Sequence, residues 1–130
     1  MAAPNIVNVA TITAKTTALT PSGTSALVLL RNAASSNMVI KINNIVASNT
    51  TGSNATATVS YYTNGGVAQG SAPSGGTAFS LVTGVVVPTT ASLIVLDKST
   101  SIYLEENTSI IVTSGTASAI TYVVSYEELS

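Results

Sequence analysis

Short runs in which apolar residues recur at every second position constrain the fold of this chain more than any other sequence feature. In the clearest run, residues 38–43, Met, Ile and Ile alternate with Val, Lys and Asn. A two-residue repeat is the period of a β-strand, because successive strand side chains point to opposite faces. Clusters of Gly, Asn, Ser, Thr and Pro separate the runs, as at 21–24 and 97–100, and these residues favour turns. The pattern therefore predicts strands joined by turns.

The runs divide the chain into about nine short strands, spaced as in antiparallel sandwiches and barrels. The predicted strands cover residues 6–17, 25–32, 38–46, 55–62, 79–87, 93–96, 102–104, 109–113 and 119–126. No run has a helical period, and no segment repeats at a fixed interval. We therefore expect one all-β domain over residues 1–130, a single antiparallel β-sandwich of jelly-roll or Ig-like type with about eight to nine strands.

Three local features add detail to this prediction. Residues 43 and 44 are both Asn and shift the apolar phase before Ile45, which predicts a β-bulge or kink there. A loop is expected at 47–54, and the glycine-rich segment 63–77 is expected to be the longest and most flexible loop. Residues 1–5 are expected to form an extended N-terminal arm.

Ionisable residues are rare, which excludes several classes of function. The chain has 4 basic and 5 acidic residues in 130, and its polar surface must come from neutral side chains such as its 38 Ser and Thr residues. The scattered cations form no basic stripe, so direct nucleic-acid binding is not expected. Apolar runs are far shorter than the roughly 20 residues of a transmembrane helix, so no membrane segment is expected.

Residues that usually perform catalysis are missing as well. The chain has no His and no Cys, the commonest general base and the thiolate nucleophile. Asp97, Glu105, Glu106, Glu127 and Glu128 are the only acids; they could form a glycosidase-like carboxylate pair or, for the first three, a Ca²⁺ site. Because the two adjacent pairs lie beside a turn and near the chain end, we expect solvated charges instead. We predict a non-enzymatic protein with no catalytic residue, cofactor or metal ligand.

A surface with so little charge is typical of a protein whose faces are covered by other proteins of an assembly, since the cores of protein–protein interfaces are depleted in charge. Tyr61 and Tyr62 are adjacent on one predicted strand, so one of them should be exposed or buried in a partner. Loops on a rigid scaffold commonly form binding sites, so we expect the N-terminal arm and the long loop to contact other proteins. The predicted protein-interface residues are Pro4, Asn5, Tyr62, Asn64, Gly65, Gly66 and Gln69.

Four segments of the chain carry a resemblance to a known group of proteins: MAAPNIV at the start (1–7), VIKIN (39–43), SIYLEE (101–106) and VSYEELS at the end (124–130). With these segments the chain resembles small virion structural proteins of tailed phages that infect marine cyanobacteria. The similarity spans nearly the whole chain, and it consists of sequence patterns without a catalytic signature.

The resemblance implies a structural part of a phage particle. Its first implication is a capsid decoration or cement protein that binds the shell of major capsid protein, assembles in the host cytoplasm and resides on the capsid surface. A neck, tail or baseplate component that contacts other virion proteins is the alternative. Cement function would suit a homo-oligomer, a trimer or dimer, since several modest contacts bind strongly together. A carbohydrate-binding module for host attachment, using exposed tyrosines, is a further alternative.

Overall fold

The computed structural model describes residues 9–130, and within them the chain forms nine β-strands and one short 3₁₀ turn. The strands are β1 (Ile12–Leu19), β2 (Leu27–Asn32), β3 (Val39–Asn49), β4 (Ala55–Tyr62), β5 (Ala78–Val87), β6 (Ser92–Leu96), β7 (Ile102–Leu104), β8 (Thr108–Ser114) and β9 (Ile120–Leu129). The 3₁₀ turn, Lys98–Thr100, separates β6 from β7. The prediction of an all-β chain is confirmed.

The strands form two antiparallel sheets, in the orders β1-β9-β3-β6 and β2-β8-β4-β5. β6 and β7 pair with successive parts of β3, on the edge that β9 leaves free, so they act as one interrupted strand. Counted in this way, the first strand pairs with the last, the second with the last but one, and β4 with β5 at the centre of the chain. A long hairpin rolled into two sheets is the arrangement of a jelly roll, so the predicted β-sandwich is confirmed and the strand order selects this type.

The core lies between the two sheets and is filled from both by alternate side chains. Ile40, Ile42 and Ile45 of β3 are fully buried, and Ile110 and Val112 of β8 belong to the same cluster from the other sheet. Burial of one such side chain stabilises the fold by about 1.5–3 kcal/mol. The chain has no Cys, so packing and hydrogen bonds hold the sheets together without disulfides.

The predicted bulge in β3 is confirmed. In the ladder with β9 the register shifts between Ile42 and Asn44, so one extra residue is accommodated on β3. If β3 kept a strict two-residue period with no bulge, Ile45 would lie on the solvent face. The bulge therefore keeps both halves of β3 in the core.

Two predicted boundaries in the middle and at the end of the chain are wrong. A loop was expected from residue 47, but β3 continues through Asn49. The strand extends this far because Ala47 remains in the inward phase and Asn49 still pairs with Ile120. β9 runs to Leu129, beyond the expected end at 126, because it is a central strand that pairs with β1 and β3 to its last residue.

The first strand also differs from its prediction. The expected strand covered residues 6–17, of which 6–8 lie outside the described residues. The observed β1 starts at Ile12 and extends to Leu19, which pairs with Tyr122 and packs against the core. Residues 9–11 are not a strand, although the backbone N–H groups of Ala10 and Thr11 both donate to the Ser130 carbonyl oxygen.

Two buried asparagines join the sheets at opposite ends of the sandwich. Asn32, the last residue of β2, donates from Nδ2 to the carbonyl oxygen of Leu104 in the other sheet, at 3.0 Å. Asn49, the last residue of β3, donates from Nδ2 to the carbonyl oxygen of Val87 in the other sheet, at 2.9 Å. Buried amides of this kind fix the two layers relative to each other, because an unpaired buried polar group is costly.

Neutral hydroxyl groups pair across the strands of the five-stranded sheet. The pairs are Thr16 with Ser125 at 3.2 Å, Thr20 with Thr121 at 2.8 Å, and Ser48 with Ser92 at 3.1 Å between their side-chain oxygens. Each cross-strand hydroxyl pair contributes about 0.2–1 kcal/mol to the stability of the sheet. They provide polarity on this sheet without adding charge.

Candidate interaction surface

Five of the seven predicted interface residues fall in or beside the loop between β4 and β5, which spans residues 63–77 as expected. Pro4 and Asn5 lie outside the described residues, so the arm at 1–5 stays a prediction. The other five residues contact parts of the same chain, and their hydrogen bonds show how the loop is attached to the sandwich.

Tyr62, the last residue of β4, is buried in a small apolar cluster separate from the main core. It packs with Val28 and Ile111, and Val67 of the loop covers the cluster. The Tyr62 hydroxyl accepts a hydrogen bond from the Gly76 N–H at 2.9 Å. The expectation of an exposed or partner-buried tyrosine is therefore wrong in the single chain, because Tyr62 is buried under its own loop and Tyr61 is half-buried against the main core.

Asn64 organises the two ends of the loop. Its Nδ2 donates to the Ser74 carbonyl oxygen at 2.6 Å, and its Oδ1 accepts from the Gly66 N–H at 3.0 Å. Its own carbonyl oxygen accepts from the Ser109 hydroxyl of β8 at 2.9 Å. Asn64 therefore links the outgoing and returning halves of the loop and joins them to the sheet, while Gly66 remains exposed.

Gly65 occupies a position that no larger residue fits. Its N–H donates to Asn107 Oδ1 at 3.1 Å, so the loop also contacts the turn between β7 and β8. A Cβ added at Gly65 would lie 2.8 Å from the Thr108 backbone nitrogen and closer still to the Asn32 carbonyl oxygen. The glycine is required by this close approach of backbones.

The middle of the loop covers the edge of β2. The Val28 N–H donates to the Ser71 carbonyl oxygen at 3.0 Å, and the Val28 carbonyl oxygen accepts from the Gly70 N–H at 2.9 Å. Gln69 is exposed, and its Nε2 donates to the Thr17 hydroxyl of β1 at 2.8 Å. Because β1 and β2 lie side by side, the loop closes this side of the sandwich. The flexibility expected for 63–77 stays a prediction.

The opposite side of the sandwich exposes a group of large apolar side chains. Phe79 (58% exposed) and Val86 (54%) lie on β5, Ile94 (65%) on β6 and Tyr103 (45%) on β7. β5 ends one sheet, and β6 and β7 form the edge of the other sheet on the same side. Val86 pairs with the outward-facing Thr56, whereas Ile94 and Tyr103 pair with Val46 and Lys41, so Val86 points out of one sheet and Ile94 and Tyr103 point out of the other. We name these three strands, with their four exposed residues, the open side. Among the described residues, one further large apolar side chain is exposed, Ile12 (63%) of β1, across the sandwich.

The open side lies almost wholly within a charge-free part of the chain. No Asp, Glu, Lys or Arg occurs from residue 42 to residue 96, a span that includes β4, β5 and β6. By contrast, β1 carries Lys15, whose Nζ lies 2.8 Å from Glu128 Oε1. Natural edge strands are commonly protected by such charges, especially lysine. Apolar residues without charge are the composition of an interface core.

The backbone of the open side does not offer a long regular edge. β5 uses ten residues against the eight of β4, and the register shifts on both sides of Val59. Gly84, at φ 56°, lies in the extra length, and its N–H donates to the Thr58 hydroxyl. The β6–β7 edge is interrupted by the 3₁₀ turn. Bulges and short edges disfavour strand addition, so a partner at this edge would be contacted through side chains.

Two opposite charges lie in the turn between β6 and β7. Asp97 Oδ1 accepts hydrogen bonds from the hydroxyl and N–H of Ser99 and from those of Thr100, and these bonds lower the pKa of Asp97. Within the described residues, Oδ2 accepts none. Lys98 is exposed and forms no ion pair with any described residue. Within residues 9–130, a carboxylate oxygen and an ammonium group without partners therefore belong to adjacent residues of this turn.

The remaining acids do not assemble into a shared site. Glu127 Oε2 accepts from Asn43 Nδ2 at 3.0 Å. Among the described residues no three acids come together, so Asp97, Glu105 and Glu106 do not form a group that could hold Ca²⁺. Both Glu106 carboxylate oxygens are buried and have no hydrogen-bond partner in residues 9–130, so the expectation of a solvated charge is wrong at this position.

Sequence reasoning missed the four exposed residues of the open side. Phe79 is the only Phe of the chain and opens a long uncharged strand, and the charge-free span 42–96 was available as a signal. What the sequence does not give is the position of a strand within its sheet. The same alternation describes a strand whether it is central or at an edge.

No pocket opens in the part of the chain that the structure describes. None of its helical segments has the length and apolar character needed to cross a membrane. Comparison with protein-family models, with curated proteins and with solved structures finds no match to this chain.

Proposed function

We propose that this chain is a non-enzymatic structural component of a phage particle, and that it binds the shell of major capsid protein as a decoration protein. The observation that carries the assembly role is the open side, where four large apolar side chains are exposed on strands with almost no charge. Ile94 and Tyr103 lie on the outer face of the five-stranded sheet and Val86 on that of the other sheet, and large apolar and aromatic side chains of this kind are enriched where proteins contact each other. The assignment to a phage particle rests on the sequence resemblance.

The construction of the sandwich suits a load-bearing part. The two asparagine links fix the sheets at both ends, and the loop closes one side by backbone hydrogen bonds to β2. A rigid body loses little conformational entropy when it binds, so more of its contact energy appears as affinity. Several such bodies on one shell would bind together more strongly than each alone.

The alternative position is the neck, tail or baseplate of the same particle. Quantitative mass spectrometry of purified virions separates the two positions by the copy number relative to the major capsid protein. Decoration of the shell gives copies in the hundreds, whereas a component of the tail axis gives on the order of six or twelve, because copies follow the local symmetry. Absence of the chain from purified particles would refute the virion role.

A carbohydrate-binding role has one supporting observation, the exposed ring of Tyr103. Aromatic rings with a polar tip pack on sugars, although the chain has no Trp. A glycan array separates this role from the structural one. Binding to one sugar class that is lost in Tyr103→Ala would favour attachment, and a silent array would leave the structural role in place.

A further inference from the structure

We propose that Asn64 is a site of spontaneous deamidation, and that its conversion to a carboxylate releases the loop at 63–77 from the sandwich. Of the ten asparagines of the chain, Asn64 is the one that a glycine follows. Because glycine has no Cβ, its backbone nitrogen can approach the preceding side chain more closely than that of any other residue. The inference goes beyond the structural role in a phage particle and does not depend on it.

Deamidation needs only the chain and water. The backbone nitrogen of Gly65 attacks Cγ of Asn64 and loses its proton to water, so a five-membered succinimide ring closes and the side-chain nitrogen leaves as ammonia. Water then opens the ring. Cleavage of the new C–N bond gives aspartate, and cleavage of the original backbone C–N bond gives isoaspartate. In sum, one amide and one water become one carboxylate and one ammonium ion.

The closed loop prevents the first step, because both reacting groups are held by hydrogen bonds. Gly65 is buried, and its N–H donates to Asn107 Oδ1 at 3.1 Å. The Asn64 amide is held at both atoms, since Nδ2 donates to the Ser74 carbonyl oxygen at 2.6 Å and Oδ1 accepts from the Gly66 N–H at 3.0 Å. The amide must leave these partners before the Gly65 nitrogen can reach Cγ. The reaction therefore follows a local opening of the loop.

The product does not fit the closed loop. A carboxylate at position 64 has no N–H to donate, so one of its oxygens would face the Ser74 carbonyl oxygen where the amide nitrogen now bonds. Two acceptors in contact repel each other, and the lost hydrogen bond is not replaced. Isoaspartate adds a backbone carbon next to Gly65, where even an added Cβ would lie 2.8 Å from the Thr108 nitrogen. Deamidation consequently holds the loop open.

Release of the loop uncovers apolar side chains. Val67 of the loop packs on the cluster that Tyr62 forms with Val28 and Ile111. Ile111 points away from the main core, since both of its neighbours in β8 belong to that core. An open loop therefore adds an apolar patch to the outer face of the four-stranded sheet. Surface of this kind marks sites of protein contact or aggregation.

Peptide mass spectrometry of the full chain in mildly alkaline buffer tests the protection, because deamidation replaces NH2 by OH at Asn64. The reaction should be at least about tenfold slower in the folded chain than in the chain unfolded by urea. Asn107→Gly removes the acceptor of the Gly65 N–H, and glycine tolerates the φ of 63° at this position. This variant should raise the rate in the folded chain by roughly fivefold, the factor expected for one hydrogen bond.

Asn54→Gly is the matched control for the protection. Asn54 Oδ1 also accepts from a backbone N–H at 3.1 Å, that of Thr89, but outside the loop. The control should leave the rate at Asn64 unchanged. Equal rates in the folded and unfolded chains, equal effects of the two glycine variants, or an Asn64 that stays intact in the unfolded chain would overturn the proposal.

Asn64→Asp tests the release, because it supplies the carboxylate without the reaction. The amides of Gly70 and Gly76 bond to β2 and to the last residue of β4, and their hydrogen exchange should accelerate by roughly tenfold. Asn54→Asp adds the same charge at an asparagine whose side chain serves as an acceptor, and it should leave both amides unchanged. Unaltered exchange in Asn64→Asp would refute the release. The virion role fails separately, since it depends on copy number in particles.

Discussion

Asn32 and Asn49 are buried residues that each donate two hydrogen bonds from the amide nitrogen. Besides the links between sheets, Asn32 bonds to the Met38 carbonyl oxygen at 2.9 Å, and Asn49 to that of Ser53 at 2.7 Å. Nothing in the sequence distinguishes these two from the other eight asparagines. Their role depends on which carbonyl groups the fold brings near them, and that is a long-range property.

Replacement of Asn32 by Ala should lower the free energy of unfolding by about 1–3 kcal/mol, because it leaves buried carbonyl oxygens without donors. Urea unfolding measures the change. Asn44→Ala is the control, since the Asn44 side chain forms no hydrogen bond within the described residues, and it should change stability by less than about 0.5 kcal/mol. Equal losses in the two variants would contradict the proposed link.

Alkaline pH should destabilise the fold through buried tyrosines. Burial raises the pKa of Tyr122 and of Tyr126, so each is held neutral in the folded chain to a higher pH than in the unfolded chain. Their stabilising contribution is complete below the ordinary tyrosine pKa of about 10 and is lost as the pH rises through the raised values. Lys15, whose pKa is raised by its hydrogen bond and charge pairing with Glu128, acts in the same direction.

Tyr122→Phe tests this dependence. The variant loses the hydrogen bond to the Thr113 carbonyl oxygen, worth about 1 kcal/mol at neutral pH. Above pH ~10 its stability should fall less steeply than that of the wild type, because one titrating group has been removed. Urea unfolding at a series of pH values provides the comparison, and parallel pH curves would disprove the assignment.

Among the elements, the loop at 63–77 is one for which the amino-acid composition and the observed hydrogen bonds lead to different expectations. Its glycines indicate flexibility, whereas its hydrogen bonds to β2 and to Asn107 indicate a segment held to the sandwich. The bonds involve residues far apart in the chain. Local sequence therefore predicts that the segment is a loop without predicting where it lies.

Tyr62→Phe should loosen the loop without unfolding the sandwich. It removes the hydroxyl that accepts from the Gly76 N–H and keeps the ring in its apolar cluster. Hydrogen exchange of the Gly76 amide should accelerate by roughly tenfold, which corresponds to about 1.4 kcal/mol, and global stability should fall by no more than about 1.5 kcal/mol. Tyr103→Phe, on the open side, is the control and should leave exchange in the loop unchanged.

Bulges show the same division between local and long-range information. The bulge in β3 was predictable, because two asparagines interrupt a clear alternation before Ile45. The irregularities of β5 were not, because Val and Leu near Gly84 fit either phase and only the pairing with β4 reveals two extra residues. Register becomes readable from sequence where polar and apolar residues alternate strictly.

At the scale of the whole molecule, the asparagine links lie at opposite ends of the sandwich and share no partner. The double variant Asn32→Ala with Asn49→Ala should therefore lose the sum of the two single losses, within about 0.5 kcal/mol. Urea unfolding of the two single variants and the double variant measures this. A much larger combined loss would mean that either link alone holds the sheets together and that the ends are coupled.

The sequence by itself determined the fold class, most strand positions and the bulge in β3, because these follow from the spacing of side chains along a few residues. It also determined the scarcity of charge on which the proposed contact function rests. Only the tertiary structure decided which strands are edges, which side of the sandwich the loop covers and which apolar residues remain exposed. These depend on the pairing of strands far apart in the chain, and a local period of two residues carries no information about that pairing.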